Sequence, residues 1–326
     1  MDDQKDEKPS ILFIGHMAID RTIRFKKSFK PSLGGSVSYG SLALSKYSQE
    51  VKVRILSHIG NLNFNQKLLR KLIKKNIDLK GIKRSNTYNT TFMLDYSNHE
   101  RILTLGSRSP DLDYKDIPKS YLEKPPQIIV LVPLCNEISF EFIKKIINVF
   151  PKALIGIDVQ GFIRKVDSQG VVSYTHDDNL ISNMKKIINL IGDRLILKGS
   201  EVEMQLISGY NEYDEIMNFF SISDTHSIFI MTLGEKGSWV VKNEQQLLKI
   251  PAFKPKRVQD ETGAGDVYLA IFLLEYLLSD KKWDAVERAA YLASAAASFL
   301  VEEKGINGVE TKKKIKKRVQ RKNYLA

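Results

Sequence analysis

The chain has 326 residues, 43% of them hydrophobic, which suits one large α/β domain or two smaller ones and excludes a disordered protein. The single cysteine, Cys135, excludes internal disulfides, and with no apolar run near ~20 residues and a polar, acidic N-terminus we expect a cytoplasmic protein without membrane contact. The net charge of +12 includes eight basic residues, and no acidic ones, in 312–326, so the rest carries only +4 and nucleic-acid binding is not expected, except weakly through that tail.

The N-terminal part predicts a buried strand followed by polar turns. Ile11 to Gly15 is a short apolar run closed by glycine, and Asp20 follows it where a parallel sheet opens its ligand crevice. Asp20 is interpreted either as a substrate ligand or as a solvated turn carboxylate. Gly34 and Gly35 precede small residues and predict a tight turn that opens a helix to about Tyr47.

The next segments predict a strand, a helix and a hairpin. Val51 to Ser57 alternates as a strand does, and 63–76 is predicted as a helix with a basic outer face. Residues 91–96 and 101–105 flank a polar turn, Ser-Asn-His-Glu, and predict a β-hairpin. A hairpin inside an α/β chain is interpreted as a lid over substrate or as an ordinary edge hairpin of the main sheet.

From Gln127 strands alternate with helices, which predicts a doubly wound, mostly parallel sheet. Asp158-Val-Gln-Gly161 ends one strand, and Arg164 could reach an anion from there. Ser200 and Glu203 begin a later helix and have the spacing of a capping box. Thr232-Leu-Gly234-Glu-Lys-Gly237 predicts a tight turn between two strands.

The most informative stretch is Asp260-Glu-Thr-Gly-Ala-Gly-Asp266, which precedes an apolar run from Val267 to Leu278 with helical spacing. A glycine-rich turn at a helix start exposes backbone N–H groups that can hold phosphate or a developing oxyanion. Asp266 in the first turn could accept a proton from a substrate hydroxyl, or it could simply complement the helix start. An alanine-rich helix, 285–301, follows, and alanines alone are more typical of close helix packing.

The segment DETGAGDVYLAIF resembles the signature of the ribokinase-type (PfkB) carbohydrate kinases, with Glu261 as an extra residue between Asp260 and Thr262. The resemblance extends over about 10–311 and implies a ribokinase-like α/β fold with a small β lid from about 18–33 and 86–108, with 312–326 as a basic tail. That tail is interpreted as a frayed helix end or as a weak contact for a polyanion.

The resemblance implies an ATP-dependent kinase for a small hydroxylated substrate. It makes Asp266 the general base and the amides of Gly263, Ala264 and Gly265 an anion hole. It implies substrate contacts from Asp20, Gly34, Gly35, Tyr39 and Arg164, where Tyr39 replaces the asparagine usual in the family. It implies nucleotide contacts from Ser200, Glu203, Thr232, Gly234, Gly237, Thr262, Ala293 and Ala297, with Ser200 replacing an asparagine and Glu203 holding Mg²⁺ through water.

The substrate class is left open by the sequence. Asp158-Val-Gln-Gly161 with Arg164, Gly35 and Tyr39 resembles the inositol-kinase branch more than the ribokinase branch, so a sugar or a polyol such as inositol is expected. A nucleoside kinase is the alternative, and an apolar slot near Tyr39 would favour it. A non-catalytic ligand- or RNA-binding protein on this scaffold is a third hypothesis, and a homodimer is compatible with the resemblance.

Overall fold

The computed structural model describes residues 8–24, 27–96, 102–174, 176–222, 225–242 and 245–325. Its strands are β1 Ser10–Ile14, β2 Ala18–Arg24, β3 Lys27–Ser28, β4 Ser32–Gly34, β5 Lys52–Gly60, β6 Ile77–Ser85, β7 Thr91–Asp95, β8 Ile102–Ser107, β9 Ile128–Leu131, β10 Leu154–Asp158, β11 Lys165–Val166, β12 Val172–Ser173, β13 Leu195–Ser200, β14 Ile228–Thr232, β15 Ser238–Lys242 and β16 Leu248–Ile250. Its α-helices are α1 Ser36–Tyr47, α2 Lys119–Glu123, α3 Phe140–Val149, α4 Gln160–Ile163, α5 Asp178–Ile191, α6 Glu201–Ser208, α7 Tyr213–Ser221, α8 Ala264–Leu277, α9 Trp283–Leu300 and α10 Lys312–Arg321.

The main sheet has nine strands in the order β16-β15-β14-β13-β10-β9-β1-β5-β6. The seven strands from β14 to β6 run parallel to one another. Beyond β14, β15 and β16 extend the sheet as antiparallel strands. Alternate side chains of β1 lie in two separate cores, one on each face of the sheet. Helices α1, α8 and α9 cover one face, and α3, α5, α6 and α7 cover the other. Both faces are therefore buried, which explains the unbroken apolar strands and confirms the predicted doubly wound fold.

A second, smaller sheet is built from the segments predicted to form the lid. Its strands β3, β2, β7 and β8 lie side by side, and β4 pairs with β2. Strands β7 and β8 form the predicted antiparallel hairpin, and its turn, 97–100, lies outside the described residues. The register pairs Asp20 with Ser32 and Ala18 with Gly34, so this sheet carries Asp20 beside the Gly34-Gly35 turn.

Two local predictions differ from the structure. The helix expected over 63–76 is a 3-10 helix, Gln66–Leu72, capped by the side chain of Asn65. The basic tail is not frayed: α10 buries Ile315, and Arg318 stacks on the ring of Phe299 at 3.3 Å. These contacts hold the helix on α9, although most of its lysines remain in solvent. In the described part of the chain, no helix is long and apolar enough to cross a membrane.

Candidate active site

The glycine-rich loop before α8 has the geometry of an anion-binding turn. Gly263 caps α8 with a left-handed backbone, φ 85°, and a Cβ added there would lie 2.2 Å from the Tyr39 ring. Glycine is therefore required by both conformation and contact. The N–H of Ala264 donates to the carbonyl of Glu261, whereas those of Gly263 and Gly265 have no acceptor among the described residues. Two of the three predicted amides thus remain available to an anion.

Asp266 lies in the first turn of α8 and lines a central cavity of about 350 Å³. Burial, and then the neighbouring Asp158 carboxylate, raise the pKa of Asp266 from 3.8 to about 6, while Lys198 and a hydrogen bond from Ser36 act in the opposite direction. A carboxylate that titrates near neutral pH is well matched to receiving a proton from a hydroxyl. The structure thus gives the predicted base a pKa suited to that role.

Lys198 was not identified from the sequence. Its Nζ donates to Asp158 Oδ2 at 2.6 Å, and both side chains are buried. The ammonium also lies 2.6 Å from where a Cβ on Gly265 would be, directly beside the glycine-rich loop. Although burial opposes its charge, Asp158, Glu203 and Asp266 raise the pKa of Lys198, so it stays cationic. A charged residue in the apolar strand β13 was the available signal.

Arg164 lines the cavity, and protein groups accept three of its five N–H donors. It donates to the Gln160 side chain at 2.9 Å, to the Leu134 carbonyl at 3.0 Å and to the Tyr174 hydroxyl at 3.1 Å. Gln160 in turn donates to Ser36 Oγ at 2.7 Å. These contacts place Arg164 in a network that reaches Ser36 and leave two of its N–H groups without an acceptor among the described residues.

The other predicted substrate residues cluster at the lid side of the cavity. Asp20, Gly35 and Tyr39 line it, and Gly35 has φ 86° at the start of α1. Gly34 does not line it: a Cβ there would lie 1.9 Å from Asp20 Oδ2, so this glycine makes room for the carboxylate. Tyr39 lines the cavity, is 3% exposed and fills the space beside Gly263.

Ser200 and Glu203 form the capping box that their spacing predicts, and both also line the central cavity. Glu203 Oε2 accepts the N–H of Ser200 at 2.7 Å, and the Glu203 side chain is nearly fully buried. Capping and a role toward a bound group are compatible, because a carboxylate has more acceptor sites than one amide uses.

A separate cavity of about 360 Å³ lies on the other side of the glycine-rich loop. It is lined by Thr232, Gly234, Gly237 and Ala297, as the resemblance implies for a nucleotide. It shares Thr232, Glu261, Ala264 and Gly265 with the central cavity. Ala293 differs from expectation because it is fully buried in the core. Leu325 from the C-terminal segment also lines this cavity and was not predicted.

Comparisons with known proteins identify the family. The model of the pfkB family carbohydrate kinases matches residues 8–312. The chain belongs to this family. It is 23% identical over 319 residues to a 5-dehydro-2-deoxygluconokinase of Clostridium botulinum. This match covers 91% of this chain and 88% of that protein. It is 22% identical to the putative sugar kinase PH1459 of Pyrococcus horikoshii over 97% of both proteins.

Solved structures agree with this fold. Ribokinase of Arabidopsis thaliana, in complex with ribose and ATP, superposes with a TM-score of 0.72 at 18% identity and covers 96% of this chain and 99% of its own. A pyrophosphate-dependent kinase of the ribokinase family, in complex with myo-inositol, gives a TM-score of 0.68 at 20% identity, covering 90% and 96%. The family match and the kinase-named relatives make the chain a carbohydrate kinase.

Proposed function

We propose that this kinase transfers the γ-phosphoryl group of ATP to a hydroxyl of a small sugar or polyol. The observation that carries the proposal is the meeting of Asp266, the Gly263 and Gly265 amides and Lys198 in the central cavity, at a loop that also lines the second cavity. The acceptor can then approach this loop from the central cavity and the nucleotide from the second cavity, which we call the donor cavity. Positioning and electrostatic stabilisation at that loop are what phosphoryl transfer requires.

The step itself follows from these residues. Asp266, as carboxylate, accepts the proton of the attacking hydroxyl, whose oxygen forms the new bond to phosphorus. The bond from phosphorus to the β-phosphate oxygen breaks, and ADP leaves with that electron pair. The amides of Gly263 and Gly265 and the Lys198 ammonium lie where negative charge develops on the transferred group. Lys198 adds full charge to a site otherwise built from backbone dipoles.

Mg²⁺ fits the acidic side of this site. When bound, it would neutralise phosphate charge and orient the nucleotide. Glu203 is a buried carboxylate on the cavity wall, and one such group holding water is sufficient for an ion that keeps most of its hydration shell. We infer that Glu203 orients a metal-bound water, as the resemblance implies.

The acceptor class has two candidates. Asp20 at the lid side suits neighbouring hydroxyls of a sugar or an inositol, because a carboxylate accepts two charge-assisted hydrogen bonds. The Clostridium relative is named for a deoxygluconate. A nucleoside is the second candidate, because Phe92, Leu94 and Leu103 give the lid face of the cavity an apolar wall that could cover a base. A nucleoside kinase of Methanocaldococcus jannaschii is 43% identical over 76 residues, a quarter of its length.

A substrate screen tests the proposal. ADP release is measured with Mg-ATP against sugars, inositols and nucleosides, first with the wild type and then with Asp266→Asn. We expect turnover of at least one acceptor and a loss of ~10²–10⁴ in the variant, with ATP binding retained. Asp284→Asn is the matched control, because Asp284 is the exposed first-turn acid of α9 and faces no cavity described here. Equal loss in both variants, or none in Asp266→Asn, would contradict the assignment.

Two further expectations remain proposals. RNA binding through the tail requires α10 to be available, yet its docked face is held by Ile315 and Arg318, so only its outer lysines could take part. Deleting 312–326 would also remove Leu325 from the donor cavity, so charge reversal of outer lysines is the cleaner test. A homodimer is tested by the mass of the protein in solution.

A further inference from the structure

A third cavity adjoins the central one on the lid side of Tyr39. It has a volume of about 390 Å³, and we call it the side cavity. It shares four lining residues with the central cavity: Asp20, Tyr39, Leu94 and Thr262. A molecule that reaches Asp266 past Asp20 therefore has room to extend into the side cavity.

Three lysines from separate parts of the chain line the side cavity. Lys30 comes from the loop between β3 and β4, Lys71 from the 3-10 helix and Lys304 from the turn after α9. All three are exposed, and Lys304 lies 4.7 Å from the centre of the Phe29 ring. In the described ranges, none of the three ammonium groups has a carboxylate partner within salt-bridge distance. Unpaired like charges around one concavity repel each other and favour an anion between them.

The acids of the side cavity cancel only part of this charge. Of its two carboxylates, that of Asp260 already accepts the backbone N–H groups of Thr262 and Gly305, at 3.2 and 3.0 Å. Within the described residues, the side cavity thus has three ammonium groups against two carboxylates, whereas the central cavity has five carboxylates against two basic side chains. The two cavities differ in the sign of their charge although they are contiguous.

We propose that the acceptor carries an anionic group, carboxylate or phosphate, and that Lys30, Lys71 and Lys304 receive it in the side cavity. This rests on the proposed function and narrows its substrate to an acidic or phosphorylated polyol. The anionic end lies away from Asp266 and from the transferred phosphoryl group, so it does not repel either. Lysine ammonium groups are mobile point charges that suit a carboxylate and a phosphate equally.

The first test uses wild-type protein and acceptor pairs that differ by one anionic group. The carboxylate arm compares gluconate with sorbitol and glucuronate with glucose; the phosphate arm compares inositol 1-phosphate with inositol and fructose 6-phosphate with fructose. We expect the anionic member of at least one pair to have a kcat/KM about tenfold higher or more. Because the lysines are exposed, this preference should shrink as salt is raised.

The second test replaces the three lysines together, Lys30→Gln, Lys71→Gln and Lys304→Gln. We expect kcat/KM for the anionic acceptor to fall roughly tenfold, mainly through KM, with the neutral partner little affected. The control is Lys144→Gln, Lys145→Gln and Lys152→Gln, a change of equal charge at exposed positions outside the three cavities.

The outcomes separate the two proposals. Turnover of neutral acceptors with no gain from an added anion would overturn the side-cavity proposal and leave the kinase assignment intact. A preference for anions that the control triple removes equally would also overturn it, because the cause would then be the overall field of the protein. No turnover of any acceptor would contradict the proposed function itself.

Discussion

Replacing Asp266 with asparagine should inactivate the enzyme and stabilise it. The substitution keeps the shape of the side chain and an oxygen that can accept from Ser36, but it removes a negative charge that destabilises the folded protein. The destabilisation follows from the pKa of Asp266, which burial and Asp158 raise from 3.8 to about 6. A carboxyl group with a raised pKa binds its proton more tightly in the folded state than in the unfolded state.

The sign and size of the effect follow from proton linkage. Between pH 3.8 and 6 the folded protein binds more protons at Asp266, so stability falls as the pH rises and stays low above pH 6. The full difference corresponds to about 3 kcal/mol. This is an upper limit, because the carboxylate keeps partial access to water through the cavity. About half of the penalty is already present at pH 5, so the gain from Asp266→Asn should grow by about 1.4 kcal/mol between pH 5 and pH 8.

Urea unfolding at pH 5 and pH 8 measures this gain, and ADP release at pH 8 measures the lost turnover. Asp284→Asn should behave differently: it removes an exposed first-turn charge, so we expect a loss of a few tenths of a kcal/mol and normal activity. If Asp266→Asn were destabilised equally at both pH values, the Asp266 carboxylate would not destabilise the folded protein. Burial would then not raise the pKa of Asp266.

Three other perturbations test separate parts of the site. Asp158→Asn removes a carboxylate that raises the pKa of Asp266, so the acid limb of the kcat/KM profile should move roughly one pH unit lower; a shift upward would contradict this. Gly263→Ala should lose activity and about 1–2 kcal/mol of stability in urea unfolding, because φ is 85° and the new methyl group meets the Tyr39 ring; unchanged stability would show that the loop is not constrained. Deleting 323–326 removes Leu325 from the donor cavity and should raise KM for ATP several-fold at unchanged KM for the acceptor, and an equal rise in both would refute that placement.

The parts of the site that local sequence could predict are those whose chemistry is local. The turn before α8 carries its glycines, its acid and its helix within a few residues, and the capping box of Ser200 and Glu203 is a contact three residues apart. The central strands β1 and β9 were recognisable because they are apolar on both faces, as a doubly covered sheet requires. These features can be predicted without knowing which distant residues they contact.

The contacts that were missed join distant parts of the chain. Lys198 meets Asp158 only because β10 and β13 are neighbours in register, across 40 residues of sequence. The docking of α10 depends on Arg318 lying flat on the Phe299 ring, which a run of basic residues does not reveal. Ala293 and Ala297 are one turn apart on α9, and only the packing of that helix decides that Ala297 faces the donor cavity and Ala293 the core.

The glycine-rich loop is confined on both sides, and this connects acceptor choice with catalysis. Gly263 lies against the Tyr39 ring on the acceptor side, and Gly265 lies against the Lys198 ammonium, so a methyl group is excluded at each by a different neighbour. The same ring separates the central cavity from the side cavity. A change at Tyr39 that admitted a different acceptor would therefore also release Gly263, and with it one amide of the anion hole. In the proposed mechanism, acceptor choice and charge stabilisation thus depend on the same contact, that of the Tyr39 ring with Gly263.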